Sequence, residues 1–340
     1  MNRRTRRTLF VVAAVVVLLA LAVFLRSKAP PEAARLLPES DGIVFVNLRP
    51  VHTFFKANLK PPQRVPEYEQ FVAATGIDWE RDLDQVAVGL HRMQDPNGPN
   101  GPVAYSMVLV GKLTGARLNQ WLEGHAVARE NYAGHTVFDV ASEGRTVRVT
   151  QVGYDMVAVS NYPTTEKIHS ILDRHRAAAL PFAGSTLLSQ HFKDVPLLSL
   201  AWGVGQIGLP FNEQGAISVF GFKLPLQADS TIVASLSPEL SLKGILRLRV
   251  EEIAPSNDDA AGQAASLSAL ITLARGFTEP LSGNPANKGL KELLRTAEVT
   301  RSRNRVVVKA NVPVSMFTGL AGGEDSAAEY EASPVSGASK

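Results

Sequence analysis

The sequence of 340 residues contains no cysteine. This absence excludes disulfide bonds, thiolate metal sites, a cysteine nucleophile and a lipid-modified N-terminal cysteine. The stability of the protein must therefore come from packing alone. The sequence also lacks an Asn-x-Ser/Thr glycosylation site, which fits a bacterial source.

The usual catalytic motifs are missing as well. The seven histidines include neither an H-E-x-x-H motif nor a pair four residues apart, so zinc hydrolysis lacks its usual ligands. Pro163 is expected to open a helix that carries Ile168, Ile171 and Leu172 inward. His175 shares that side, which favours packing or a place near the helix C-terminus over catalysis. Without a G-x-S-x-G motif, a serine triad would have to form in the tertiary structure. We therefore predict no catalytic residue, no metal ligand and no cofactor.

Acidic residues are absent from the first 28 positions, which hold six of the 35 Lys and Arg residues. The whole chain has a formal net charge of +3, but the remaining 29 basic residues face 32 acidic ones, a net of −3. A slightly acidic ectodomain gives no electrostatic reason to expect nucleic acid as a partner.

The main apolar run covers residues 9–25 and contains no charged residue. At about 1.5 Å per residue this run forms roughly 25 Å of helix, which crosses a bilayer core once flanking residues are counted. Four arginines precede it and only Arg26 and Lys28 follow directly, so the N-terminus should be cytoplasmic. We predict a single transmembrane helix at 9–25 in a bacterial inner membrane, with residues 1–8 cytoplasmic and the C-terminal domain extracytoplasmic.

Two other interpretations of this segment remain open. Ala20-Leu21-Ala22 has the small-x-small form of a signal-peptidase site, and residues 5–10 resemble a twin-arginine export motif. All three interpretations export the same globular part. They differ in whether the globular part stays tethered to the membrane.

The first half of the globular part reads as mixed strand and helix. Residues 42–48 are apolar on both faces and predict a buried strand. A helix follows between Pro66 and Gly76, and residues 85–93 and 103–111 flank turn-forming residues that predict a hairpin.

The helix after this hairpin is predicted to be capped by Thr114. In residues 145–152, Val147 and Val149 alternate with polar residues, which predicts an antiparallel sheet with one solvated face.

The second half has a similar order. Residues 196–202 predict a buried strand. In residues 240–251, five apolar side chains share one face and five polar or charged side chains share the other. Asp258 or a neighbour is expected to cap a helix, and residues 297–302 and 305–312 predict a last hairpin.

These patterns predict an α+β fold with a largely antiparallel sheet and packed helices. The expected organisation is a linker at 26–38, α+β halves at 39–180 and 181–320, and a disordered tail at 321–340. Because the two halves repeat the same order of elements, we expect a tandem duplication, with a single continuous α+β domain as the alternative.

Two short motifs suggest chemistry. Residues 203–208 fit the dinucleotide pattern G-x-G-x-x-G, but no helical periodicity follows, so we favour glycines that permit a turn or close packing. Asp78, Glu80, Asp82 and Asp84 alternate and would attract calcium in an extended segment. We favour the alternative that Asp78 caps a short helix.

Basic residues recur on the predicted strands of the second half. Arg247, Arg249 and Arg301, with further residues of the last hairpin, would form a basic strip if their strands are neighbours; the further residues are Arg303, Arg305 and Lys309. Such a strip would face anionic lipid headgroups, a cell-wall polymer or an acidic partner protein. The alternative is cross-strand pairing with Glu251 and Glu298 on a solvated face.

The sequence resembles uncharacterised bacterial membrane-anchored proteins with exported α+β ectodomains, classed as domains of unknown function. The matching features are Leu37-Pro38 and residues 42–48 beyond the anchor, Gly76-Ile77-Asp78, and Asp82-Leu83 before a strand. The resemblance implies the architecture and no mechanism.

From the sequence we predict a single-pass membrane protein that acts by binding or scaffolding at the bacterial envelope. Its predicted partners are the lipid bilayer, through residues 9–25, and an envelope protein or anionic polymer. The alternative is an envelope hydrolase, or a protein that binds a small ligand or lipid, with a site formed only in the fold.

Overall fold

The computed structural model describes residues 29–50, 52, 64–98, 101–142, 144–178, 184–206, 216–219, 222–225, 230–239, 244–278 and 285–316. The predicted transmembrane segment and the predicted disordered tail lie outside these ranges. Within them, no helix is both long enough and apolar enough to cross a membrane.

The described residues form fourteen strands and eight α-helices. The strands are β1 Gly42–Asn47, β2 Leu83–Arg92, β3 Val103–Gly111, β4 Ala126–Tyr132, β5 His135–Ser142, β6 Arg145–Val152, β7 Met156–Ser160, β8 Ala201–Gln206, β9 Ala216–Val219, β10 Phe222–Pro225, β11 Thr231–Pro238, β12 Ile245–Ile253, β13 Glu298–Ser302 and β14 Arg305–Pro313. The helices are α1 Glu32–Leu36, α2 Pro66–Thr75, α3 Trp79–Asp82, α4 Ala116–His125, α5 Glu166–Arg176, α6 Thr186–His191, α7 Asn257–Thr278 and α8 Pro285–Thr296. A 3₁₀ turn, Phe192–Asp194, follows α6 directly.

Twelve of the strands form one sheet in the order β13-β14-β12-β11-β8-β1-β2-β3-β7-β6-β5-β4. Every pairing in it is antiparallel. The strands of each half are contiguous, and β1 pairs with β8 where the halves meet. This arrangement confirms the predicted α+β class and the antiparallel sheet.

One face of the sheet is covered by α1, α5 and α6, and we call it the α5 face. Its apolar side chains form a continuous core with those helices from β5 to β11. Ile168, Ile171 and Leu172 of α5 are fully buried there, which confirms their predicted inward orientation. Covering by helices on this side ends near β8.

The opposite face, which we call the α7 face, is covered at both ends. Helices α2, α3 and α4 pack on the first-half strands around Leu118 and Leu122. Helices α7 and α8 pack on the second-half strands around Ala274, Leu293 and Leu294. The sheet is therefore the middle layer of the described fold.

Covering on both faces explains why one prediction for β6 was wrong. The polar side chains Arg148 and Thr150, expected in solvent, are buried on the α5 face, whereas Val147 and Val149 are half-buried on the α7 face. Arg148 tolerates burial because its guanidinium donates hydrogen bonds to main-chain carbonyls after β7, including Tyr162 O at 2.7 Å. Alternation alone does not tell which face of a strand is covered.

Several predicted boundaries shift for local reasons. Gly115, not Thr114, is the N-cap of α4, because the Thr114 hydroxyl donates to the carbonyl of Tyr154 instead. The strand expected at 196–202 begins at Ala201. β12 begins at Ile245, after Gly244 in the left-handed region at φ +73°.

Other local signals were predicted correctly. Pro66 opens α2, and Gly76 ends it with φ 76°. Ser256 caps α7 by accepting a hydrogen bond from the Asp259 amide at 3.1 Å, so a neighbour of Asp258 is the cap. One strand of the sheet, β4, was not predicted from the sequence.

Candidate functional site

A cleft lies on the α5 face where the covering helices end. It has a volume of ≈ 480 Å³. Its walls come from the segment after the predicted membrane anchor, from β1, β2 and β8, and from the 3₁₀ turn with the residues that follow it. The lining residues are Ala29, Pro31, Phe45, Asn47, Gln85, Phe192, Lys193, Val195, Pro196, Leu197, Leu198, Ser199 and Trp202. Volume and composition match those of small-molecule sites, which are concave and largely apolar.

Three aromatic rings form the base of this cleft. Phe45 of β1 and Trp202 of β8 are paired in the sheet, and their rings stack with centroids 5.5 Å apart. Phe192 meets Trp202 edge-on at 5.4 Å. Both spacings are typical of favourable aromatic pairs. The base is thus rigid, because two of its rings stand on central strands.

Polar groups are few and lie on the cleft walls. Asn47 and Gln85 are directly paired on β1 and β2, so their amide side chains share the α5 face. The Asn47 Oδ1 atom accepts a hydrogen bond from the Arg49 amide at 3.2 Å. Lys193 is exposed and supplies a cationic group beside the aromatic rings. An apolar base with a few polar wall groups suits an amphipathic ligand.

A tight turn, Pro196 to Ser199, forms one wall. Leu198 holds φ at 66°, a left-handed conformation that costs a non-glycine residue on the order of 1 kcal/mol. The turn is fixed by the Ser199 hydroxyl, which donates to Pro196 O at 2.7 Å and lies 3.1 Å from the Ser237 hydroxyl oxygen. The leucine side chains at 197 and 198 are exposed.

A charged cluster lies behind the 3₁₀ turn. Arg305 of β14 donates to Asp194 at 2.9 Å and to Glu251 of β12 at 2.6 Å, and these hydrogen bonds raise the pKa of Arg305. Glu251 is buried and also accepts from Arg249 at 2.6 Å. Burial lowers the pKa of His191, whose Nδ1 lies 3.8 Å from the Asp194 carboxylate. The cluster ties the cleft wall to the second-half strands.

The residues of the predicted basic strip are divided between the two faces. Arg247 and Arg249 lie on the α5 face of β12, where Arg247 pairs with Glu239 and Arg249 with Glu251. Arg301 pairs in register with Val306 and therefore lies on the α7 face, where its guanidinium donates to Asn257 O at 3.4 Å. The structure thus brings Arg247 and Arg249 together and separates Arg301 from them. Their role toward a partner stays a prediction.

The structure shows what the two short motifs do: the glycines lie in a strand, and Asp78 caps a helix. Gly203 and Gly205 lie inside β8, between β1 and β11, so this part of the G-x-G-x-x-G pattern is strand and forms no phosphate-binding turn. Gly208 lies outside the described residues. Asp78 caps α3 by accepting from the Glu80 amide, which confirms the favoured interpretation. Its carboxylate also accepts from Arg64 and Tyr68, and these hydrogen bonds outweigh partial burial to lower its pKa.

A histidine and a serine meet in the interior on the first-half strands. His91 Nε2 lies 2.9 Å from the Ser106 hydroxyl, which is 3.1 Å from the hydroxyl of Ser160. All three residues are buried, and burial is the main cause that lowers the pKa of His91 to about 4. A nucleophile enclosed in this way cannot meet a substrate in this conformation. The pair therefore does not support the hydrolase alternative.

Metal binding has no support in the part of the chain that the structure describes, where no three His, Asp or Glu side chains are placed to share an ion.

Sequence reasoning missed the cleft. Phe45 and Trp202 each lie in a predicted strand, and no local pattern indicates that these strands pair. The adjacent leucines at 197 and 198, next to Pro196, were the one local signal of an exposed apolar turn.

Comparisons with known proteins give a distant structural likeness. No protein-family model matches the chain, and no curated protein matches it significantly. Crystal form III of TP0453 from Treponema pallidum aligns at a TM-score of 0.46 with 9% identity, covering 87% of this chain and 99% of that chain. Crystal form IV aligns at 0.44 with 9% identity, covering 86% and 98%, and form I at 0.40 with 7% identity, covering 86% and 96%. Likeness at this level says nothing about a ligand or a function.

Proposed function

We propose that this protein is a membrane-anchored extracytoplasmic binding protein, whose cleft holds the apolar part of an amphipathic small molecule such as a lipid. The observation that carries the proposal is the aromatic base of Phe45, Phe192 and Trp202 in a cleft of ≈ 480 Å³. Phe45 and Trp202 are only 3% and 4% exposed and shape the base, so an acyl or ring system would bury apolar area mainly on Phe192 and the apolar walls, with no need for a specific charge pair.

The position of the cleft along the chain supports a membrane-derived ligand. Ala29 and Pro31 line the cleft, and they follow the predicted span at 9–25 within a few residues. If that span is intact, the cleft lies close to the bilayer surface. A reporter fused after residue 320 should then be active only outside the cytoplasm, and activity confined to the cytoplasm would contradict the topology.

Contact with an anionic polymer through the second-half arginines has less support. Arg247 and Arg249 each pair with a carboxylate, which leaves little uncompensated charge for a partner. Binding in the cleft is therefore the function that we favour.

The binding test uses tryptophan fluorescence, because Trp202 lies on the α5 face and Trp79 and Trp121 lie on the α7 face. The full chain is reconstituted in nanodiscs in two versions: W79F/W121F, which retains Trp202 in the cleft as the one tryptophan, and W121F, which keeps Trp202 and also retains Trp79 in the opposite core. A dibrominated fatty acid quenches at contact range. We expect saturable quenching of Trp202 and none of Trp79, and equal or absent quenching would contradict the proposal.

A variant pair sharpens the test. Phe192→Ala removes one ring of the cleft base and should weaken binding of the brominated fatty acid about tenfold, as expected for about 1.4 kcal/mol of lost aromatic contact. Phe71→Ala removes a partly buried ring that packs on Trp79 and Trp121 on the α7 face. It should leave binding unchanged. An equal loss in both variants would indicate a general effect on the fold.

We also infer a tandem duplication of the two halves. The order of strands supports it: β1-β2-β3 and β8-β11-β12 run outward from the central pair, and β7 and β14 return beside the third strand of each set. A helical segment follows the third strand of each set, α4 after β3 and α7 with α8 after β12. An experimental structure in which these two four-strand sets fail to superpose would contradict the duplication.

A further inference from the structure

The turn at the cleft mouth exposes two consecutive leucines. Leu197 is 53% exposed and Leu198 is 74% exposed. The turn also holds Leu198 at φ 66°, where glycine or asparagine is the usual residue. A leucine in this place has a backbone conformation that glycine would adopt more easily, and its side chain packs little against the fold. Strained residues of this kind cluster at functional sites.

The chain between the predicted span and the cleft is short. Ala29, four residues after the last residue of the predicted span, lines the same cleft as Leu197 and Leu198. Four extended residues reach about 14 Å at most. The leucine turn therefore lies next to the surface from which the chain emerges. Lys193 is exposed on the same cleft and would face the headgroup layer.

We propose that the Leu197–Leu198 turn inserts its side chains into the bilayer surface and holds the cleft mouth against the membrane. This inference rests on the proposed membrane anchorage. It assigns the exposed leucines a partner, the lipid bilayer, whose interfacial region accepts apolar side chains. A ligand could then pass between bilayer and cleft without crossing water.

The absence of native cysteine permits an unambiguous single-label experiment. Leu197→Cys in the full chain is labelled with the environment-sensitive dye NBD and reconstituted in phosphatidylethanolamine–phosphatidylglycerol vesicles. Leu273→Cys is the matched control, because this leucine of α7 is 59% exposed but does not line the cleft. We expect blue-shifted emission at 197 that doxyl-labelled lipids quench, and water-like, unquenched emission at 273.

Two outcomes overturn the proposal. Emission at 197 that matches the control means that the turn stays in water. A blue shift without quenching by doxyl lipids means that protein, for example a second copy of the chain, covers the turn. Quenching at 197 without fatty-acid quenching of Trp202 would keep the membrane contact and reject the proposed cleft ligand.

A second variant separates function from folding. Leu198→Gly relieves the left-handed strain, so the temperature of unfolding should stay the same or rise. In the Leu197-labelled protein the same substitution should reduce quenching by doxyl lipids, since one inserted side chain is lost. Unchanged quenching would overturn the role of Leu198.

Discussion

On the α5 face, the two halves of the sheet differ in how far helices cover them and shield their side chains from solvent. The first-half strands lie largely under α1 and α5, and several of their polar side chains, such as Ser106, Arg148 and Thr150, are buried there. The outer second-half strands, β12 and β14, instead carry a charged network in which Arg305 bridges Asp194 and Glu251. The cleft lies at the boundary between these regions. A ligand site is possible there because the covering helices stop before the charged strands begin.

The covered and the open half of the sheet accommodate an arginine by different interactions. In the covered half, Arg148 donates its hydrogen bonds to main-chain carbonyls, and Asp139 at 3.4 Å supplies the opposite charge. Arg305 in the open half is satisfied by two carboxylates and remains 36% exposed. The first arrangement depends on tight packing, and the second depends on charge.

The largest expected effect tests how rigid the covered half is. At Gly111, an added Cβ would lie 2.0 Å from the carbonyl oxygen of Asp82, a main-chain atom that cannot move away without distorting the backbone. We expect Gly111→Ala to lower the free energy of unfolding by about 3 kcal/mol in urea titrations.

Gly289 of α8 offers the matched control in the other half. An added Cβ there would lie 2.6 Å from the Cβ of Met316, which cannot rotate away because it is fixed to the backbone. This contact is longer than the one at Gly111, and alanine favours a helix, so Gly289→Ala should cost less, about 2 kcal/mol. The reverse order of the two effects would break the comparison.

Arg148 and Arg305 test the comparison directly. Arg148→Met leaves buried carbonyls without their donor and removes the ion pair with Asp139, and should cost about 3 kcal/mol. Arg305→Met should cost about 1 kcal/mol, because Arg305 is partly exposed and Arg249 still pairs with Glu251. High salt should shrink the second effect and leave the first unchanged in urea titrations. Equal salt dependence would contradict the distinction.

His91 makes the covered half sensitive to acid. Its pKa is about 4 in the fold against 6.5 ordinarily, chiefly through burial and then the charge of Lys167. The unfolded chain binds the proton more readily, so stability is lost as the pH falls from 6.5 toward 4. At pH 5 the loss should be about 2 kcal/mol.

The measurement compares urea unfolding at pH 5 and pH 7.5. His91→Gln should abolish this part of the pH dependence, although the variant will be less stable at pH 7.5 because a hydrogen bond to Ser106 changes. His125→Gln, at the exposed end of α4, is the control and should keep the acid loss. An unchanged pH dependence in His91→Gln would show that another group carries it.

Much of the fold follows from local patterns. Pro66 and Gly76 bound α2, the spacing of Ile168, Ile171 and Leu172 gave the buried side of α5, and the loop of turn residues marks the β2–β3 hairpin. These signals depend on backbone geometry and on periodicity, which act over a few residues. β4 escaped prediction because it lies at a sheet edge with most side chains exposed, so it has little apolar alternation.

The α+β class, most element types and the absence of cysteine from the core follow from the sequence, and the anchor at 9–25 stays a prediction. The tertiary structure sets which strand faces are covered, which arginines meet, and that Phe45, Phe192 and Trp202 share one cleft. The reason is physical. Pairing of β1 with β8 joins distant parts of the chain, and its register, not any local pattern, brings the two rings together. The same pairing brings the Leu197–Leu198 turn beside the segment that leads to the predicted membrane helix.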